Sequence, residues 1–155
     1  MTLFLDITDQ AAVALKLEKL TSETPPRFGI MTAQHMVEHL ELLLRASNGK
    51  DFMKLEYRQE KAEKIKAVCI GTDNELPIGF RAPILPVGET LPLKYNNLDM
   101  AKENLYKELD DYILFFKQNP NKKPVNPTMG ALSATEWNKF HNKHFTHHFK
   151  QFGLM

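Results

Sequence analysis

The chain has 155 residues, of which 43% are hydrophobic and 25% are charged, a size and composition typical of one compact domain. Twenty Lys and Arg against 19 Asp and Glu leave a formal net charge of +1, which argues against nucleic acid or an anionic membrane as the main partner. No apolar run approaches the roughly 18 residues that cross a bilayer, and residues 1–10 lack the features of a signal peptide. We therefore expect a single domain over residues 1–155, cytoplasmic, with no nucleic acid partner and no membrane attachment.

Two clear helices and one weaker helix are predicted in the first half of the chain. Apolar spacing indicates a first helix within residues 8–20. A second begins after Thr32, a suitable N-cap, and ends at Asn48-Gly49. Residues 51–68 keep a weaker helical period in a strongly charged stretch, which indicates a half-exposed helix.

Residues 71–94 differ from the rest of the chain, because four prolines and three glycines interrupt an otherwise apolar stretch. Long irregular segments inside compact domains are uncommon and are often functional. Its apolar content indicates a segment that packs over a surface, and we expect it to cover one end of a helical bundle. A third main helix is predicted over residues 98–117, where apolar residues recur at the three-and-four spacing of one buried face.

The last helix has the clearest start signal, because Ser133 and Glu136 have the spacing of a capping box. A helical wheel predicts that one face of this helix is buried, made of Trp137, His141, His144, Phe145, His148 and Phe152. The opposite side of the helix is predicted to contain Lys139, Asn142, Lys143, Thr146 and Lys150. No convincing strand is seen. The predicted fold class is therefore all-α, an antiparallel four-helix bundle with the irregular segment between its second and third main helices.

Cysteine and histidine are the residue types that bear most on chemistry. The single cysteine, Cys69, cannot form an internal disulfide, which fits a reducing compartment, and a lone cysteine is usually a small buried hydrophobe. The chain also has six histidines. They form two groups, one of His35 and His39 and the other of His141, His144, His147 and His148.

Two of these histidines, His144 and His148, lie at i and i+4 on the predicted apolar face, the spacing at which two ring nitrogens converge on one cation. An unpaired polar atom in a core costs about 1 to 3 kcal/mol, so a core histidine is either hydrogen-bonded or bound to something. His35 and His39 have the same spacing on another helix, and one of them should face the last helix. Several imidazoles in one core favour a metal site, while a metal-free bundle with hydrogen-bonded histidines stays open.

Other chemical signatures are weak or absent. Residues 35–39 match the H-x-x-E-H pattern of inverted zinc proteases, but those enzymes are much larger α/β proteins and the pattern arises easily by chance. The chain has no Glu-x-x-His pair of the kind that carboxylate di-iron bundles use. It also lacks a P-loop, a G-x-G-x-x-G turn, a G-x-S-x-G elbow and a C-x-x-C motif.

Two segments resemble the DinB-like (YfiT-like) four-helix metal proteins, in a branch without an assigned function. One is residues 31–40, which include His35 and His39, and the other is residues 136–153, with His144-Phe145-Thr146-His147-His148 followed by Gln151. The resemblance covers the whole chain. It implies that His39, His144 and His148 bind the metal, and that His35, His141 and His147 lie outside the metal's ligands. His35 is the residue most readily exchanged with His39 as a ligand.

The same resemblance implies a range of functions, because that superfamily includes thiol-dependent transferases and isomerases and many members with no known reaction. We expect a metal-dependent enzyme acting on a small molecule, by thiol transfer or isomerisation first and by hydrolysis second. Zinc is favoured, and nickel or iron is possible, since three nitrogens and water discriminate weakly among these ions. The candidates for a catalytic base are Gln34, Glu38 and His141.

A non-enzymatic metal- or ligand-binding protein is the alternative, with a homodimer through exposed aromatic residues such as Phe115 and Phe149. A pocket distinguishes the two hypotheses. An enzyme should have a cavity beside the ion, lined by Trp137 and part of residues 71–94, whereas a structural site should be closed by a fourth ligand such as His35 or His141.

Overall fold

The structure, a computed structural model, describes residues 3–79 and 83–155, and these are mostly helical. Residues 1–2 and residues 80–82 of the predicted irregular segment lie outside the described residues. The described part contains five helices and one two-stranded sheet: α1 (Gln10–Leu17), α2 (Ala33–Ser47), α3 (Gln59–Cys69), α4 (Leu98–Gln118), β1 (Val125–Asn126), β2 (Gly130–Ala131) and α5 (Ala134–Gln151). None of these helices combines the length and the apolar character that crossing a membrane requires.

Side-chain caps fix the starts of the two helices that matter most for the site. The hydroxyl of Thr32 accepts the backbone N–H of His35, and α2 begins at the next residue, as predicted. Ser133 and Glu136 form the predicted capping box at the start of α5, in which each side chain accepts a backbone N–H of the other residue. These bonds join residues only three apart, which is why the sequence predicts them.

The helix predicted over residues 51–68 is wrong in its first half. α3 begins only at Gln59, and residues 51–58 are not helical. The backbone N–H of Glu56 donates instead to the carbonyl of Pro127, 2.8 Å away. Phe52, which fitted the predicted apolar stripe, is 96% exposed. A backbone bond to a distant segment therefore replaces the local bonds of a helix.

A short antiparallel hairpin precedes α5 and was not predicted. Val125 pairs with Ala131 and Asn126 with Gly130. The side-chain oxygen of Asn126 accepts from the backbone N–H groups of Thr128 and Met129 and from the Thr128 hydroxyl, so it organises the turn. Strands of two residues are too short to show an alternating pattern in the sequence.

α2 lies in the interior of the fold and contacts both α4 and α5. All six residues predicted on the inner face of α5 are buried. On the opposite side of α5, Lys143 and Thr146 are buried as well. Lys143 Nζ donates to the carbonyl of Thr72, and Thr146 Oγ1 accepts the N–H of Leu5, because segments outside the main helices cover this side of α5.

Phe149 was expected to be exposed and available to a second copy of the chain, and this is wrong. Its side chain is fully buried in the core, where it packs against Phe145. Phe115 is only half-buried. Of the two aromatic residues offered for a dimer surface, Phe149 is therefore not available.

Candidate metal centre

Three histidines from α2 and α5 meet at one point. The Nε2 atom of His144 lies 3.0 Å from Nε2 of His39 and 3.2 Å from Nε2 of His148. One ligand atom from each residue lies within 4.8 Å of the others. The three imidazoles are therefore close enough to bind one metal ion. They come from residues 105 positions apart in the chain, so only the packing of α2 on α5 brings them together.

These imidazoles are neutral because they are buried. Each of the three side chains is only 7% exposed. Burial, with a smaller effect from His147, lowers the pKa of His39 to about 4. Burial and the neighbouring imidazoles hold the pKa values of His144 and His148 well below the usual range. All three side chains therefore have a free ring-nitrogen lone pair at neutral pH.

A hydrogen-bond relay sets the tautomer of His148. Its Nδ1 lies 2.7 Å from Oε1 of Gln151, whose Nε2 donates to the carbonyl of Phe28 at 2.9 Å. Because this amide oxygen can only accept, His148 carries its proton on Nδ1 and presents a lone pair at Nε2. The backbone N–H of Arg27 donates to the Gln151 carbonyl, which ties the loop before α2 to the same residue.

The other two ligand candidates lack such a partner. The Nδ1 atoms of His39 and His144 are buried and make no hydrogen bond to any described residue. Nδ1 of His141, which is not in the group, is unpaired too, and an ion bound at Nε2 leaves Nδ1 unpaired, so these atoms do not bear on metal binding. The Nε2 atoms do, because they are the ones that converge. A cation among the three Nε2 atoms uses all three lone pairs at once, and an all-imidazole donor set suits zinc, nickel or iron. The residues present therefore fit a divalent transition metal.

The remaining histidines have other partners. Nδ1 of His35 lies 2.6 Å from the Thr32 hydroxyl, where it takes part in the cap of α2. His141 is fully buried, stacks on Trp137, and has Nε2 2.8 Å from the Ser47 hydroxyl. His147 is half-buried and packs against the ring of Phe28. Among the described residues the three-histidine group contains none of them, so neither His35 nor His141 closes the site.

A cavity of about 380 Å³ opens beside the three imidazoles. Its wall includes all three histidines, one side of α2, the hairpin, and the described parts of residues 76–94. The prediction that Trp137 lines this cavity is wrong, because Trp137 is fully buried and donates from Nε1 to the carbonyl of Pro124. Phe140 takes that place, and its ring stacks on His144 with centroids 5.1 Å apart.

The outer wall of the cavity is fastened to the helices at both ends. Near its start, Lys143 Nζ donates to the carbonyl of Thr72 at 2.7 Å. At its end, the carboxylate of Glu38 accepts the backbone N–H groups of Lys94 and Tyr95, at 2.5 and 3.3 Å. Gln34 Nε2 donates to the Tyr95 carbonyl at 2.7 Å. The segment that interrupts the helices therefore covers the histidine site.

Two of the candidate bases hold this wall in place. Glu38 and Gln34 are engaged with the backbone of residues 94–95, and Gln34 also donates to Glu38. The third candidate, His141, is paired with Ser47, and burial lowers its pKa to about 3. Sequence reasoning missed the contacts with residues 94–95 and with Ser47, because these partners are distant in the chain.

Cys69 lies in the cavity wall and is half-buried. Burial raises the pKa of its thiol, with a smaller opposite effect from Lys143. The thiol is therefore uncharged at neutral pH, in keeping with its expected character as a small apolar residue.

Comparison with known proteins gave no relative: no protein-family model, no curated protein and no solved structure matches this chain. The functional assignment therefore depends on the geometry of the three-histidine site and on the cavity next to it.

Proposed function

We propose that this chain is a metal-dependent enzyme that acts on a small molecule at an open three-histidine site. One observation carries the proposal: three buried, neutral imidazoles converge at the wall of a cavity. Structural metal sites are closed by a fourth protein ligand, whereas catalytic sites keep a position open for water or substrate. Among the described residues only three such ligands meet, on a cavity of the size that small molecules occupy.

We further propose that the chain belongs to the DinB-like proteins and that its main helices form an antiparallel four-helix bundle. The contacts of α2 with α4 and α5, and of α1 with α4, support this architecture. The arrangement of the ligands supports it too, since His39 comes from one helix and His144 and His148 come from the last one.

In this site His39, His144 and His148 hold the ion, and Gln151 orients His148. A divalent ion bound by neutral ligands keeps its full charge and lowers the pKa of a coordinated water or thiol. Zinc is the favoured ion, with nickel or iron as the others that this donor set accepts. Thiol transfer or isomerisation is the favoured reaction and hydrolysis the next, on the basis of the resemblance in sequence. Phe140 and described residues between 76 and 94 lie in the same cavity wall as the three imidazoles.

A second candidate is a metal- or ligand-binding protein without catalytic activity, either alone or as a homodimer. The contacts of the candidate bases favour it, because Glu38, Gln34 and His141 all have other partners. A reaction that needs a proton acceptor beside the ion would require a group other than these three.

The test is to purify the protein without a histidine tag and to measure bound metal by elemental analysis, before and after zinc is added. We expect zinc, nickel or iron in stoichiometric amount, or its uptake on addition. A thermal-shift screen of low-molecular-weight thiols and acyl thioesters then follows, with metal present and absent. Metal-dependent shifts support the proposal, and turnover of a shifting compound separates the enzyme from the binding protein. A protein that neither contains nor takes up metal contradicts the proposed enzyme and the metal-binding form of the second candidate.

A further inference from the structure

The cavity beside the histidines has a mainly apolar wall. Side chains from the loop before α2, from α2 itself, from the covering segment, from the hairpin and from α5 contribute to it. They include Phe28, Leu42, Leu85, Leu91, Met129 and Phe140. Apolar walls contributed by separate segments form an enclosure in which an apolar body loses its contact with water, and that loss drives binding.

The charged side chains in the same wall have protein partners. Arg45 donates to the carboxylate of Asp51 from Nε at 2.6 Å and from Nη2 at 3.1 Å. The buried carboxylate of Glu41 accepts from the hydroxyl of Tyr95 at 2.6 Å and lies 3.4 Å from Lys94 Nζ.

Neither of the other two acidic residues in the described wall is a buried charge without a partner. Glu38 is held by the backbone N–H groups of residues 94 and 95. Glu89 is exposed to solvent. The described wall therefore contains no buried charge that needs a ligand, and a charged group placed against it would lose its water without gaining a partner.

Two polar groups of the described wall remain for a ligand: the buried side-chain Nδ2 of Asn126, which has no hydrogen-bond partner among the described residues, and the histidine group. At the histidine group three Nε2 atoms converge in the wall of the cavity, so an ion held there would be within reach of a ligand in the cavity. The cavity volume of about 380 Å³ is near the lower end of the range for small-molecule sites, so the ligand is compact.

From this distribution we infer that the substrate is a compact, mostly apolar molecule with an electron-rich head group, such as a thiolate or a carbonyl derivative, that coordinates the ion. This inference deepens the proposed function and depends on it. It places the head group at His39, His144 and His148. It places the apolar body against the wall formed by Leu42, Met129 and the apolar residues Leu85 and Leu91.

Calorimetric titration of the zinc-loaded protein with hydroxamates tests the inference. Acetohydroxamate supplies the metal-binding head alone, hexanohydroxamate adds an alkyl tail, and the ω-amino analogue of hexanohydroxamate adds a charge to that tail. We expect hexanohydroxamate to bind at least about tenfold more tightly than acetohydroxamate, because each buried methylene contributes severalfold. The ω-amino analogue should lose most of that gain. Equal affinities of the three probes, or tightest binding of the charged one, would overturn the inference.

A pair of variants locates the tail. Leu42→Asn places an amide in the wall, and we expect it to remove most of the gain given by the alkyl tail while acetohydroxamate binds as before. Leu114→Asn is the matched control, since Leu114 is 49% exposed on α4, and it should keep the gain. The same gain in both variants would show that the tail lies elsewhere. If Leu42→Asn does not fold, the three probes on the unmodified protein still decide.

Zinc uptake is measured on the same preparations. If the protein does not retain zinc, the proposed function is contradicted, and the inference about the substrate is contradicted with it. A protein that retains zinc and binds all three hydroxamates equally loses only the inference about the apolar body.

Discussion

Two polar clusters lie along α2, and they are built in opposite ways. Toward α4, an ionic cluster is formed by Arg45, Lys50, Asp51, Glu108 and Asp111. Toward α5, the histidine cluster is formed by His39, His144 and His148. The first is made of full charges that neutralise one another. The second is made of neutral bases, two of which have a buried nitrogen without a partner in the described structure.

The ionic cluster shows what a completed polar network looks like in this fold. The carboxylate of Glu108 is almost fully buried and contacts Arg45 at 3.1 Å, Lys50 at 2.9 Å and Asn48 at 2.7 Å. Burial alone would raise the pKa of Glu108, but the hydrogen bonds from Lys50 and Asn48, with the charges of Lys50 and Arg45, bring it below the usual range. Such a network needs nothing from outside and fixes α2 against α4.

The histidine cluster instead brings together three Nε2 atoms of neutral imidazoles, which one bound cation can engage at the same time. Its single well-formed outer contact is the bond from His148 to Gln151. The difference teaches that buried polar groups take two forms in this protein: opposite charges that pair with one another stabilise the fold, and neutral ring nitrogens that converge on one point form a candidate metal site.

The largest effect is expected from a substitution in the histidine cluster, and it is a loss of metal affinity. His144→Ala removes the imidazole whose Nε2 contacts both other ligands, and we expect metal affinity to fall by more than about 100-fold. Elemental analysis after dialysis measures it. His147→Ala, next to His148 but packed against Phe28, is the control and should retain metal. Equal losses in the two variants would mean that the wrong histidines have been assigned as ligands.

A change in the ionic cluster should affect stability and leave metal binding intact. Glu108→Ala leaves Arg45 and Lys50 without their shared buried partner, and we expect the free energy of unfolding to fall by about 2 to 3 kcal/mol. Asp111→Ala, at a more exposed pair with Lys50, should cost less than about 1 kcal/mol. Urea unfolding measures both. Loss of bound metal from a folded Glu108→Ala protein would show that the two clusters are not independent.

The smallest effect is expected from removing the hydrogen bond between His148 Nδ1 and Gln151 Oε1. Gln151→Ala removes the acceptor for His148 Nδ1–H, and we expect metal affinity, measured by competition with a chelator, to fall about tenfold. Gln151→Glu keeps an acceptor but loses the donor to the Phe28 carbonyl, so it should retain most of the affinity. If the Glu variant loses as much as the Ala variant, the role of Gln151 is to hold the loop and not to orient His148.

Sequence patterns predicted the parts of the fold that depend on near neighbours. The caps at Thr32 and Ser133 are bonds across three residues, and the helix predicted over residues 98–117 matches α4 because its apolar period is long and regular. The hairpin was missed because its two-residue strands are too short to show an alternating pattern, although it pairs near neighbours. Residues 51–58 were mispredicted because the backbone N–H of Glu56 donates to Pro127, which is distant in the chain. The burial of Lys143 and Thr146 was missed for the same reason.

For the candidate site, the sequence by itself determined that His144 and His148 share one face of a helix. The geometry of an α-helix places residues four positions apart on the same face, whatever the rest of the chain does. Whether His35 or His39 faces them was open on spacing. The tertiary structure brought His39 to them, through the rotation of α2 against α5, and left His35 at the helix cap. It also decided that a cavity lies beside the imidazoles and that Gln151, not a distant residue, pairs with His148. Local periodicity constrains which side chains point together, but distances between helices depend on packing across the whole core, which no short stretch of sequence encodes.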